Sequence, residues 1–222
     1  MSVGLIAAAA GGVGALGWIH FRDLRRAKNR RRSVFDDCRG LLEDGELCHD
    51  GSTYPELSGR YAGFPVKLSL VADTVQLRKL PVLWLLVTIE RPVAVPGVFD
   101  MMIRPSNTEY YSPHGSLTET ITNPPGWHED AVIRTNNSDA VKPLLDRLHP
   151  HVESFLEDER GKEVLLTPKG IRLVWRVDES QRGHYLALRQ PMFEQDSIPR
   201  NEVEKLLVRA LNLADDMNGA LK

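Results

Sequence analysis

The sequence predicts an α+β domain with a mostly antiparallel sheet and two long amphipathic helices, preceded by a single N-terminal transmembrane helix. Three patterns carry this expectation. Apolar residues alternate at period two around 66–70, 99–103 and 171–177, and recur at helical spacing over 141–156 and 203–217. An uncharged run, Val3–Ile19, comes before everything else and is followed at once by a basic one. Strands, helix, strands, helix is the order expected of an α+β chain rather than of a parallel βαβ repeat.

The leading run is short for a span. A hydrocarbon core of about 30 Å needs roughly 20 residues at helical rise, and Ser2, His20 and Phe21 complete that length in the interfacial layers. Trp18 and Phe21 stand at its basic end, where aromatic rings favour the headgroup level. A cleaved signal peptide has its charge before the apolar stretch, whereas here the charge follows. The cationic side is expected to stay cytoplasmic, with the N-terminus outside an inner membrane. A peripheral arm is the alternative, because four alanines and several glycines make the run only modestly hydrophobic. Residues 1–21 are thus read as the anchor, 22–56 as a basic juxtamembrane segment with a short helix and linker, and 57–222 as a soluble domain.

Gly12, Gly14 and Gly17 match a dinucleotide-binding fingerprint, but no strand precedes them and no βαβ unit surrounds them. Small residues four apart, Ala10 with Gly14 and Ala7 with Gly11, instead suit close pairing of two such helices, a route to a homodimer.

The overall charge of −2 hides a division. Arg22, Arg25, Arg26, Lys28, Arg30, Arg31 and Arg32 stand against Asp23 alone, a local +6 that leaves −8 for the rest. Such a segment beside a membrane contacts anionic lipid, at about 1 kcal/mol per residue near the surface. An acidic domain behind it argues against a nucleic-acid partner. Cys38 and Cys48 have no zinc spacing and no CxxC pattern, and the sequence leaves open whether they pair.

Along the domain, Phe35, Cys38, Leu41 and Leu42 predict a short helix over Ser33–Leu47, ended by Asp44-Gly45. Val66, Leu68 and Leu70 predict a strand buried on one face. Val82–Ile89, apolar throughout, predicts a central strand covered on both faces. Phe99, Met101 and Ile103 suggest a third strand, and residues 107–130 a long loop. Ala131–Thr135 suggests a short strand. Ser138 opens a helix whose stripe, Val141 to Leu156, keeps its phase across Pro150, so one kinked helix is expected. Val164–Leu166 and Ile171–Val177 read as strands, with Tyr185–Arg189 pairing back across a turn at 178–183. Pro199, Asn201 and Glu204 start a final helix with its stripe from Val203 to Met217, and Gly219 ends it.

Candidate chemistry is sparse. His128-Glu129-Asp130 has acid/base side chains, yet loop neighbours rarely converge on one atom. His149 and Glu153 share a helix face, with Asp146 and His151 near, but no third ligand at metal spacing is visible. Neither Ser112 nor Ser116 stands in a nucleophile elbow. No catalytic, cofactor-binding or metal-binding residue is assigned, and no cofactor is expected. Arg172, Arg176 and Arg189, with Trp127 and His128, form a candidate surface for an unidentified protein partner.

Gly59-Arg-Tyr-Ala-Gly-Phe-Pro-Val66, Leu80-Pro-Val-Leu-Trp-Leu85 and Ile133-Arg-Thr135 leading into the Asp139 helix resemble uncharacterised bacterial membrane-anchored domains of unknown function, over roughly residues 57–217. The resemblance implies a bacterial inner-membrane setting and brings no catalytic residues. The expected function is a membrane-tethered binding or scaffold module. The competing expectation is a hydrolase-like membrane enzyme using His128, Glu129 and Asp130 or the His149 cluster.

Overall fold

The computed structural model describes residues 31–49, 54–75, 80–188, 191–195 and 197–219, together with Trp18, Arg22 and Arg25. The expected span Val3–Ile19 lies outside the described residues apart from Trp18, as do Arg26, Lys28 and Arg30. Among the described residues no helix is long and apolar enough to cross a membrane.

Among the described residues nine strands make one antiparallel sheet: β1 (Glu43–Cys48), β2 (Glu56–Tyr61), β3 (Phe64–Asp73), β4 (Val82–Ile89), β5 (Phe99–Ile103), β6 (Glu119–Ile121), β7 (Ala131–Thr135), β8 (Gly161–Thr167) and β9 (Gly170–Glu179). Their order is β1-β2-β3-β4-β9-β8-β5-β7-β6. The helices are α1 (Ser138–Val141), α2 (Leu145–Leu156), α3 (Arg182–Leu188) and α4 (Arg200–Gly219). The fold is α+β with a large antiparallel sheet, as its alternating patterns imply.

One sheet face bears the main core. Leu83, Leu85, Val87 and Ile89 of β4, and Ile171, Leu173 and Trp175 of β9, are buried there with Leu148, Val152 and Phe155 of α2 and the Val203–Met217 stripe of α4. Each such side chain contributes on the order of 2 kcal/mol through the apolar area it removes from water. The opposite face buries Trp84, Leu86 and Val174, with Val71, Val82 and Tyr111 against them. The unbroken apolar run of β4 thus reflects a strand covered on both sides.

Four local expectations are corrected. Ser33–Leu47 is not one helix: a 3-10 turn spans Asp36–Leu41, and the chain then enters β1, which pairs with β2. The Phe35, Cys38 and Leu41 spacing fits that turn equally well, and Asp44 takes a left-handed φ of 52° beside a register shift in β1. Val34, Phe35 and Cys38 belong to the main core, and the Cys38 thiol donates to the Ile198 carbonyl ahead of α4. Cys38 is buried and Cys48 exposed, both as free thiols.

One helix crosses Pro150 as its stripe predicts, but it does not run unbroken from Ser138. Lys142–Leu144 is a 3-10 turn with Pro143 near its start, separating α1 from α2, while α2 runs through Pro150. Pro143 removes a backbone donor just past one turn of helix, where few bonds hold the ladder together.

Tyr185–Arg189 does not pair with β9 either. Both edges of β9 are already bonded, to β4 and to β8, so Arg182–Leu188 coils into α3 instead, while Arg189 lies outside the described residues. The hairpin partner of β9 is β8, through a turn in which the Thr167 hydroxyl accepts from the amides of Lys169 and Gly170. Finally, β2 and β6 were not expected. β2 is locked to β3 by the two-residue turn Ala62-Gly63, both at positive φ, the turn whose twist matches paired strands.

Candidate functional site

The functional candidates lie on the second sheet face, opposite α2 and α4. Alternation alone would send Lys162 and Glu163 to opposite faces of β8. A bulge between Gly161 and Glu163 departs from that register. Lys162 then lies 6.0 Å from the centre of the Trp84 ring, and Glu163 is wholly buried.

The segment after β5 folds over this face and is pinned by a polar seam. Lys162 Nζ donates to the carbonyls of Ile103 (2.7 Å) and Arg104 (3.1 Å) and pairs with Glu109 at 3.2 Å. Glu109 also accepts from the amide and hydroxyl of Ser106. Burial acts to raise its pKa, but the Ser106 hydrogen bonds and the Lys162 charge outweigh it and hold the carboxyl at about 2. Next along the seam, the Ser112 hydroxyl donates to Glu163 Oε1, which also accepts from Arg172 Nη2 at 3.0 Å. Burial, and then the Asp100 charge, push the Glu163 carboxyl up to about 7. His114 Nδ1 faces Asp100 Oδ2, and Arg134 Nη1 donates to the His114 carbonyl at 3.1 Å.

This seam has the ingredients of acid/base chemistry without an arrangement for it. The Ser112 hydroxyl points to Glu163, and only its oxygen is shared with His114, through the His114 backbone amide at 3.0 Å. Asp100, His114 and Glu163 are all buried. The seam's evident role is to fasten the 104–117 segment to β5, β7 and β8.

Beside the seam the same face opens into a cleft of about 830 Å³ between β4, the 159–162 stretch and α3. Arg104, Lys162, Arg176 and Arg182 line it, against Glu159 and Glu179, while Arg160 borders it with its guanidinium turned to the other face. Trp84 and Tyr185 add aromatic walls. Arg104 is occupied by Asp130, and Lys162 by Glu109. Arg160 lies over the Trp175 ring at 5.0 Å, and Arg176 Nη2 reaches the Glu159 carbonyl at 3.4 Å. Among the described residues no carboxylate forms an ion pair with Arg160, Arg176 or Arg182.

The residues singled out from sequence are dispersed. Arg172 is drawn under the 104–117 segment to Glu163, while Arg176 reaches the cleft. Trp127 packs against Phe99 and the His149 ring, whose Nε2 lies 3.2 Å from the Gly126 carbonyl. His128 Nδ1 accepts from the Asp130 amide within its own turn, and Asp130 turns to Arg104. His151 pairs with Asp216 of α4. The His149 cluster therefore spreads over two neighbours, and among the described residues no group of three or more His, Cys, Asp or Glu is placed to hold a metal. Of the seven basic residues, Arg22 lies over the Trp18 ring at 5.1 Å and Arg31 over Tyr54 at 5.7 Å, and Arg32 is exposed.

Asp100, His114, Lys162, Glu163 and Trp84 escaped sequence reasoning. Asp100 left one legible trace, a carboxylate between Phe99 and Met101 inside a strand, whereas Glu163, between Lys162 and Val164, left none. The cleft left none, because its walls come from segments up to about a hundred positions apart.

Comparison with protein-family models, curated proteins and solved structures returns no match.

Proposed function

We propose that this chain is a single-pass, membrane-anchored protein with its α+β domain facing the cytoplasm, acting as a binding module for an anionic ligand in the second-face cleft. One observation carries the binding assignment. In a domain with a net charge of −8 behind its basic leader, Arg176 and Arg182 stand in the cleft wall with no carboxylate ion-paired to either among the described residues. A concave surface of sign opposite to the molecule around it concentrates anions from solution. The apolar run Val3–Ile19 and the basic residues after it support the tether and its orientation.

Two measurements test the reading. Full-length protein with a C-terminal fluorescent reporter is expected in a membrane fraction that withstands carbonate washing, with the reporter emitting from the cytoplasmic side. Titration of glycerol 1-phosphate into the detergent-solubilised full chain is expected to show saturable binding, weakened about tenfold by Arg176→Gln with Arg182→Gln. Recovery of the protein wholly in the soluble fraction would remove the tether. Absence of any anion binding would remove the cleft.

A further inference from the structure

The rim of the cleft adds a second chemistry. Val75 is 53 % exposed and Leu186 is 55 % exposed, and both line the same cleft as the arginines. Large apolar side chains at such exposure are few among the described residues, and two of the six stand here. The indole of Trp84, buried in the sheet, forms part of the same wall, with Lys162 6.0 Å from its ring. An inorganic anion would use the guanidinium groups and leave this apolar rim in water. A wholly apolar ligand would strand Arg176 and Arg182 against hydrocarbon, which costs far more than the contact returns. Both surfaces are satisfied together only by a molecule joining an anionic head to an apolar body.

Guanidinium groups favour phosphate because their planar donors match two of its oxygens at once. The tether supplies the source: a domain held at a bilayer surface meets lipid at far higher local concentration than dissolved phosphates.

We infer that the cleft takes the phosphate headgroup of one anionic phospholipid, with Arg176 and Arg182 on the phosphate and Val75 and Leu186 against the first part of its acyl chains. This rests on the anion-cleft reading above. It differs from the contact made by the basic leader, which is a diffuse attraction to a charged surface rather than a one-to-one site.

The test titrates full-length protein in dodecyl maltoside with three soluble probes: dihexanoyl phosphatidic acid, dihexanoyl phosphatidylcholine and glycerol 1-phosphate. Dihexanoyl phosphatidic acid is expected to bind one to one, about tenfold or more tighter than glycerol 1-phosphate, and phosphatidylcholine is expected to bind weakly. Val75→Ser with Leu186→Ser changes only side chains more than half exposed, so the fold should tolerate it. That variant should lower affinity for the lipid about fivefold and leave glycerol 1-phosphate unaffected. Arg176→Gln with Arg182→Gln should weaken both anions, and unchanged thermal melting would show the variants folded.

Equal binding of the lipid and glycerol 1-phosphate, with an inert rim variant, would overturn the lipid assignment and point to a soluble phosphate while sparing the anion cleft. Phosphatidylcholine binding as tightly as phosphatidic acid would overturn it also. If neither anion binds, or the arginine variant changes nothing, the anion cleft itself fails.

Discussion

His114 Nδ1 lies 3.4 Å from Asp100 Oδ2, with the histidine side chain 2 % exposed and the aspartate wholly buried. The separation is within ion-pair reach but does not meet hydrogen-bond geometry, and neither Asp100 oxygen has a hydrogen-bond partner among the described residues. A buried carboxylate so placed depends on the polar groups packed against it. His114→Leu is therefore expected to destabilise the domain by roughly 2–4 kcal/mol, whereas His114→Leu with Asp100→Leu should recover most of that loss. Urea unfolding of the four members of the cycle measures the coupling. Additive losses would mean that the two side chains do not communicate.

Glu163 gives the domain a pH dependence of known sign. Burial holds its carboxyl up to about 7 when folded, against the ordinary 4.5. Between those values the folded chain holds a proton that the unfolded chain has released. The contribution is fully present below pH 4.5 and is lost as pH rises through 7. Glu163→Gln, which keeps an acceptor for Ser112 and Arg172, should therefore melt higher than the parent at pH 8 and close to it at pH 5. The gap corresponds to a few kcal/mol at most. Parallel melting curves at both pH values would contradict the assignment.

The Lys162–Glu109 pair is the other fastening of the 104–117 segment, and its side chains are only 8 % and 3 % exposed. Lys162→Met removes the charge and strands the Glu109 carboxylate. A loss of about 3 kcal/mol is expected, as when one partner of a buried pair is deleted. The local consequence is more specific. Amide hydrogen exchange across 106–116 should accelerate, while that in β3 and β4 follows only the global change. Since the Glu109 pKa is held near 2, the pair's contribution should persist from above pH 4.5 and disappear as pH falls toward 2.

Gly170, at the start of β9, packs so closely on β4 that a β-carbon there would lie 2.2 Å from the Ile89 carbonyl oxygen. Gly170→Ala must move one strand or the other. It is expected to cost on the order of 2 kcal/mol or more. Gly115→Ala, whose added carbon would meet no atom within 4 Å, should be near neutral. Equilibrium unfolding of both variants settles the contrast.

Elements whose pattern is local were legible in the sequence. The stripe of α4 stands out from Val203 to Met217, and the unbroken apolar run of β4 marks a strand covered twice. Where the outcome depended on distant partners, the pattern misled. Residues 185–189 had strand-forming neighbours but no free strand edge to join, because β4 and β8 already flank β9. The 33–47 stretch had helical spacing, yet its second half found β2. The site was less legible still. Lys162 and Glu163 are adjacent charges that alternation separates, and only the bulge in β8 departs from that spacing.

The position of β9 has a consequence for how the chain is made. Among the described residues it is the last strand to leave the ribosome, yet it sits between β4 and β8, so the two half-sheets on either side have no seam until residue 170 and beyond are available. A nascent or truncated chain ending before that point exposes two raw ladders of unpaired amides and carbonyls, both bordered by apolar side chains. Closure must wait for this keystone. Slow assembly through long-range pairing, and a need for shielding during synthesis, are built into the topology.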